Sequence, residues 1–393
     1  MREMSMIDSS NGNKRLYDWV CSESLLYTAY DNLCNRSGIV AAGVDNMTLD
    51  KMTLERLDSL RKSLENGRYV PSPSKRIYIG KKNGGARPLN IPCTDDKLVQ
   101  EEVRILLDLI YDPTFDRHSH GYRSGMGIHS ALSDIKRNFK NVRWIIEGDI
   151  KGCFDNIDHN ILLNLLRKRI NDDRFILLID KFLKAGYVEN GAYKESKMGV
   201  PQGGIISPVL TNIYLDVLDQ YVLKIASSYQ VEIKYVRYAD DFLIGVDGDA
   251  EDCRRIKEEL TDFLAKELTL ELSQEKTLIT SMNEKIIFLG CEISRSPDGK
   301  DFDIISSDGK RFVCKQRGES MPLTPGLLVP TRTMADRLKR EVCELCGRRE
   351  ILIMRQLKTK KMLSVLNPLH KKILERTDCS VAVCPQCNYS MRL

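Results

Sequence analysis

Tyr238-Ala-Asp-Asp241 sets two adjacent carboxylates at a tight turn inside the β-rich segment running from Ile233 to Val246. The flanking runs read as a hairpin with both acids at its tip. Like charges a few ångströms apart repel, so such a tip is costly unless a cation sits against it. Mg²⁺ takes hard oxygen ligands, and two-metal phosphoryl-transfer sites are built from carboxylates of this kind. Four residues alone fit a solvated Asp-Asp turn better, and the rest of the chain, beginning with a third acid, reverses that balance. The run Trp144-Ile-Ile146 has the character of a buried strand and ends at Asp149. A carboxylate there, followed by Ile150, can hold a metal through its side chain and the next backbone carbonyl. Phe154 follows shortly and either lies close to whatever the metal holds or packs in the core.

Three further groups of residues have chemical content. Arg76 to Pro92 looks like two strands joined by a basic, glycine-rich tip, which could lay Lys81, Lys82 and Arg87 over phosphates. Gly199-Val-Pro-Gln-Gly-Gly-Ile-Ile-Ser-Pro208 is a flexible loop that opens a helix, with Ser207 as N-cap, Pro208 as first helical residue and Gln202 offering amide contacts. Cys343-Glu-Leu-Cys346 and Cys384-Pro-Gln-Cys387 are two C-x-x-C pairs whose four thiolates suit a closed, structural Zn²⁺ site. His118 and His120 have no nearby third ligand in the sequence, which argues against a metal there. Tyr122 and Arg123 either serve nucleic acid or pack.

These groups need elements to position them. The pattern is helical from Tyr17 to about Arg68, with Gly43-Val-Asp45 as a turn, and helical again over Asp95–Tyr111 and Gly127–Asn138. Asp158 caps a helix beginning at His159. Another helix follows Pro208, and a charged amphipathic one spans Glu251 to Leu268. Leu270 to Lys276 and Phe288 to Ile293 read as extended.

Composition bounds the class. A chain of 393 residues, 42% hydrophobic and 29% charged, buries a sizeable core and holds two or three domains. No run approaches a membrane span and the first residues carry no apolar signal core, so a cytoplasmic protein without membrane contact is expected. From Lys310 onward there are 18 Lys/Arg against 7 Asp/Glu, and before it 42 against 48, a basic appendage suited to polyanions behind an acidic body. The eight cysteines outside the C-x-x-C pairs are expected to be small buried apolar residues.

In this order the blocks resemble the reverse transcriptases encoded by bacterial and organellar group II introns. The likeness runs from about Tyr17 to Ile293 and is carried by Gly43-Val-Asp45, Arg87-Pro-Leu, Asp149-Ile-Lys-Gly, the Gly199–Pro208 loop, Tyr238-Ala-Asp-Asp241 and Phe288-Leu-Gly290. It implies an α+β right-hand polymerase, with fingers and an antiparallel palm sheet. Residues 1–140 would form an N-terminal extension and fingers, 141–300 the palm with interleaved fingers elements, 301–342 a linker or reduced thumb, and 343–393 a zinc-binding segment. Asp149, Asp240 and Asp241, with the Ile150 carbonyl, match the ligands of two Mg²⁺ ions. Lys81 and Arg87 match residues that hold the incoming deoxynucleoside triphosphate, and Gln202 the residue beneath its sugar and base. Phe154 matches the bulky residue that excludes a 2′-hydroxyl, and Lys276 a lysine proposed as proton donor to pyrophosphate. The implied partners are an RNA template, a DNA or RNA primer and group II intron RNA.

The chain also departs from that family. Its cysteine pairs resemble the frame of an HNH endonuclease, yet Arg355 and Gln356 stand where the first histidine pair belongs, and Asn388 to Arg392 contains no histidine. Without an imidazole base or ligand, phosphodiester cleavage has no evident catalyst, and a basic knob that binds without cutting is expected. The interval from Ile293 to Cys343 is short for a thumb and holds Pro322, Pro325 and Pro330. That shortening counts against the first alternative, a non-catalytic RNA-binding maturase that assists splicing, and fits the second, a domesticated antiphage enzyme.

Overall fold

The computed structural model describes residues 14–34, 41–49, 52–80, 84–296, 302–307, 309–312, 349, 352–356 and 380–383. Lys81, Lys82 and all four C-x-x-C cysteines lie outside the described residues, as do Cys314 and Cys379. Helices α1 (Leu16–Val20), α2 (Glu23–Cys34) and α3 (Leu54–Glu65) precede a hairpin of β1 (Ser74–Gly80) and β2 (Ala86–Ile91). Helices α4 (Thr94–Tyr111) and α5 (Ile128–Asn138) lead to β3 (Trp144–Asp149). Then come α6 (Cys153–Asn156), α7 (His159–Arg167), α8 (Asp173–Lys184), β4 (Tyr187–Glu189) and β5 (Ala192–Lys194). The long α9 (Ser207–Ser228) opens the hairpin of β6 (Ile233–Tyr238) and β7 (Asp241–Val246), followed by α10 (Ala250–Leu268). The chain goes on through β8 (Leu278–Ser281), β9 (Ile286–Phe288), β10 (Cys291–Arg295) and β11 (Phe302–Ser306) to β12 (Ile353–Gln356) and β13 (Ser380–Val383).

The central sheet is antiparallel in the order β6-β7-β3-β8. Its strands are apolar on both faces, as a sheet covered on both sides must be. Ile146, Ile244, Tyr235 and Phe242 join the main core together with Leu210, Leu218 and Val222 of α9 and Ile256, Leu260 and Leu264 of α10. On the other face Ile145, Val236 and Leu243 meet Leu132 and Ile135 of α5, and Phe288, Ile293 and Phe302 of the β11-β10-β9 sheet. The α10 stripe is spaced at three or four residues, and Asp249 caps the helix by accepting from the amides of Glu251 and Asp252.

A second four-stranded sheet, β2-β1-β4-β5, draws its strands from both sides of β3 in the chain, with β4 running parallel to β1. Asp158 caps α7 as its sequence position implies. Helix α9 begins one residue earlier than expected: Ile206 is the N-cap and Ser207 is already helical, its hydroxyl donating to the Pro201 carbonyl (2.7 Å). Leu270 to Lys276 does not form the expected strand. It makes a single bridge, Leu272 to Ile150, and pairing with β3 passes to β8. The six described single cysteines are buried or half-buried, as expected.

Helix α4 runs through the core and carries polar side chains with it. Asp96 accepts from the Tyr69 hydroxyl (2.5 Å) and the Ser72 amide (3.1 Å), and burial pushes its carboxyl up to about 7. A folded-state value above the unfolded one means that the native state binds the extra proton, so stability declines as pH rises from about 4 to about 7. Asn at this position can accept from the Ser72 amide while its NH₂ donates to the Tyr69 oxygen. Urea melts should therefore show Asp96→Asn gaining on wild type as pH is raised across that window. A difference that does not change with pH would exclude the titration of Asp96.

Candidate active site

The register of the central sheet puts Asp149, the last residue of β3, directly opposite Asp241, the first of β7. Asp240 sits in the intervening turn, where Ala239 takes the left-handed conformation (φ 59°). One pair further in, Gly148 faces Phe242, and a Cβ on Gly148 would fall 2.1 Å from the Phe242 ring. A side chain there would push β3 and β7 apart where their carboxylates meet.

The turn is held from behind by Arg237, which is fully buried. Its Nε donates to Asp219 Oδ1 (2.6 Å) and one Nη2 hydrogen to Asp219 Oδ2. Nη1 donates to Asn212 Oδ1 (3.0 Å) and to the Ala239 carbonyl (2.9 Å), and Nη2 also to Ser119 Oγ (2.7 Å). All five guanidinium donors are thus used, which is what makes a buried charge tolerable. Tyr235 adds a hydroxyl donor to Asp219 Oδ1 (2.7 Å). Gly121 presses against the turn from the loop side, where a Cβ would lie 2.3 Å from the Ala239 nitrogen. Neither the arginine nor its partners were expected from the sequence, because a charged residue in a strand normally faces water.

Burial raises the carboxyl pKa of Asp240, and Asp149 adds to the rise while Arg87 and Lys276 oppose it. Asp241 is pushed up to about 6, by burial first and then by repulsion from Asp240 and Asp149. The Lys276 ammonium lies 3.2 Å from both carboxylate oxygens of Asp149, so this residue belongs to the acidic centre. Among the described residues no group of three or more His, Cys, Asp or Glu stands ready as a metal cluster. The donor set nevertheless fits a hard cation: three carboxylates crowd together, and two of them are held above their ordinary proton affinity by burial and mutual repulsion.

The other expected residues form a chain of contacts beside these acids. Arg87 Nε donates to Gln202 Oε1 (3.1 Å), and Gln202 Nε2 donates to Asp155 Oδ2 (3.0 Å). The loop that carries Gln202 is fixed at both ends. The Asn90 amide of β2 donates to the Gln202 carbonyl (2.6 Å), while the Val200 amide donates to the Phe154 carbonyl (2.7 Å). Phe154 is 7% exposed and lies edge-on to the half-exposed Tyr122, with centroids 6.4 Å apart. Asp155, in the first turn of the short α6, thereby joins the site through Gln202. Arg123 packs: it binds Asp112 Oδ1 (2.7 Å) and the carbonyls of Asp112, Asp116 and Ser119.

No helix among the described residues is long and apolar enough to cross a membrane. Residues 79–293 match the family of reverse transcriptases (RNA-dependent DNA polymerases). The group II intron-encoded protein LtrA of Lactococcus lactis subsp. cremoris is 41% identical over 71% of this chain and 56% of its own length. An uncharacterized 91 kDa protein in the cob intron of Schizosaccharomyces pombe is 36% identical over 72% of this chain and 42% of its own. Protein YkfC of Escherichia coli K12 is 34% identical over 64% of this chain and 75% of its own length. The chain spans about half the length of the first two of these relatives. The matched block runs from the end of β1 into β10 and includes the three carboxylates and the β9–β10 turn, and the chain belongs to the reverse transcriptase family, with group II intron-encoded proteins as its relatives.

Proposed function

We propose that the chain is an RNA-directed DNA polymerase, which copies an RNA template by transferring deoxynucleotides to a primer 3′-hydroxyl. The observation that carries this reading is the register that sets Asp149 opposite Asp241, with Asp240 between them. These three carboxylates and the Ile150 carbonyl would hold two Mg²⁺ ions. When bound, such ions activate the 3′-hydroxyl and neutralise charge on the departing pyrophosphate.

The chain's own side chains do the rest. Arg87, braced by Gln202, offers its guanidinium to the triphosphate, with Lys81 as its companion on the hairpin tip. Phe154 closes the floor where a ribose 2′-hydroxyl would stand. Lys276 Nζ, already on Asp149, is a proton source beside the leaving group. The test is Mg²⁺-dependent extension of an oligo(dT) primer on poly(rA) by the intact chain. Phe154→Ala should lower discrimination against ribonucleotides by about tenfold or more. Unchanged discrimination would remove Phe154 from that role.

Group II intron RNA is proposed as the natural partner, on the strength of the relatives' names. A structural Zn²⁺ on Cys343, Cys346, Cys384 and Cys387 belongs to the same reading. It is supported by the pairing of β12 with β13, which sets Ile353 opposite Val383, the residue before Cys384. Elemental analysis should find one zinc per chain, lost in Cys343→Ser/Cys346→Ser, and a folded, zinc-free wild type would refute the site.

A further inference from the structure

A cavity of about 660 Å³ opens between the loop after α4 and helix α5, away from the carboxylates. It is lined by Arg117, His118, His120, His129 and Arg137, and so gathers three of the chain's five histidines with two exposed arginines. The carboxylate on its wall, Asp134, is occupied by protein donors: its Oδ2 lies 2.6 Å from His118 Nδ1 and 3.0 Å from His120 Nε2. Burial alone would push that carboxyl up, and the two histidine contacts reverse the shift and leave it below the ordinary carboxylate range.

Arg117 donates from Nε to His118 Nε2 (3.1 Å) and has no carboxylate partner among the described residues. Ser130, Ser133 and Asn138 add neutral polar groups to the lining. The wall sets two arginines against one acid, and that acid's Oδ2 is taken up by the two imidazoles, a composition that favours an anion. The described residues here hold no group of acids, histidines and cysteines suited to a metal ion. A second cavity of about 190 Å³ shares Arg117, His118 and Asn138 and continues to Lys234 at the start of β6. The second cavity is otherwise lined by Val222, Leu223, Ala226, Ile233 and Tyr235, and two cavities joined at Arg117 suit successive phosphates better than a single small anion.

We propose that this furrow binds the backbone phosphates of a single-stranded RNA, with Arg117 and Arg137 as its charged contacts. The choice of RNA over other polyanions rests on the polymerase reading. The site also adjoins the catalytic turn through one extended segment. His118 and His120 face the cavity while Ser119, between them, reaches Arg237, and the Arg237 amide and carbonyl pair with His118 O (2.9 Å) and His120 N (2.8 Å). Bound phosphate therefore lies one residue from the guanidinium that holds the Ala239 carbonyl.

The test is fluorescence anisotropy of a labelled single-stranded RNA with the full chain at several salt concentrations. Arg117→Ala/Arg137→Ala should weaken binding about tenfold and reduce the slope of log K against log [salt] by about 1.4, two single-strand phosphate contacts. Arg117→Lys/Arg137→Lys should keep the slope. Both residues are exposed, and a thermal melt checks that each variant stays folded. An alanine variant that binds with the wild-type constant and slope overturns the site. So does loss of the arginine-dependent binding to millimolar inorganic phosphate, which would make it a small-anion pocket. Primer extension run in parallel separates the two readings. Arginine-dependent RNA binding by a chain that never extends a primer refutes the polymerase and leaves the furrow standing. Extension together with arginine-independent binding refutes the furrow alone.

Discussion

Combining Asp240→Ala with Asp241→Ala is expected to cut primer extension on poly(rA)/oligo(dT) by about a thousandfold or more. Both acids stand at the end of the hairpin that faces Asp149, and Arg87 and Lys276 are the cations that bear on them. A thousandfold loss corresponds to about 4 kcal/mol of transition-state stabilisation, within reach of removing cation ligands from a phosphoryl-transfer site. The same variant should melt at a higher temperature than wild type in metal-free buffer at neutral pH. It removes two carboxylates whose burial and mutual repulsion make ionisation unfavourable in the fold. Adding Mg²⁺ should raise the melting temperature of wild type and leave the variant where it was. A variant that is inactive and also less stable would mean that the acids hold the turn together. An active one would end the assignment of this centre.

Arg237→Met carries the second large effect, and it falls on stability first. The change leaves Asp219 buried, charged and facing only the Tyr235 hydroxyl, while the Ala239 and Asn212 oxygens lose their donors. Removing one partner of a buried pair costs about 3–5 kcal/mol, whereas replacing both partners by apolar residues is often neutral. For a chain of this size that is a fall of about 4–6 °C in melting temperature. Adding Asp219→Asn should recover part of the loss, since the two side chains are one interacting unit. Arg237→Lys separates folding from catalysis: it keeps the charge but cannot reach five acceptors in the guanidinium plane. Its folded fraction should extend primers poorly and need more Mg²⁺ for half-maximal rate. Unaltered Mg²⁺ dependence in folded Arg237→Lys would limit the residue to packing.

The sequence made the local elements readable where a period was long enough to count. Helices α4 and α10, the acidic hairpin and the Asp158 cap stand where their patterns put them, and α9 begins one residue early. Helix α8 was equally available, with Phe175, Ile176, Ile179, Phe182 and Leu183 on one face and Asp172 as its cap, but its pattern went unused. Strands β4 and β5 have three residues each, too few for any alternation to register. The alternating burial of Leu270 and Leu272 mimics a strand, yet the backbone there makes only one bridge. At the site, residue types and order marked the three acids, Arg87, Phe154 and Gln202. The bond between Arg87 and Gln202 and the Arg237 network join residues far apart in the chain, and no local pattern carries such contacts.

The interleaved strand order has a consequence for how the molecule is made. Strand β3 ends at Asp149, but both of its neighbours, β7 and β8, are synthesised only after α7, α8 and α9. β1 likewise waits for β4 across the whole of α4, α5 and β3. A ribosome releasing this chain therefore holds an unpaired apolar strand, Trp144 to Gly148, through the addition of nearly a quarter of the protein. Pairings that distant make folding slow and leave strand edges open to misassociation in the meantime. The β2-β1-β4-β5 sheet can close once β5 is made, whereas the central sheet that encloses β3 waits for β7 and β8. Neither sheet can be inherited, swapped or truncated as a separate module without cutting through its neighbour.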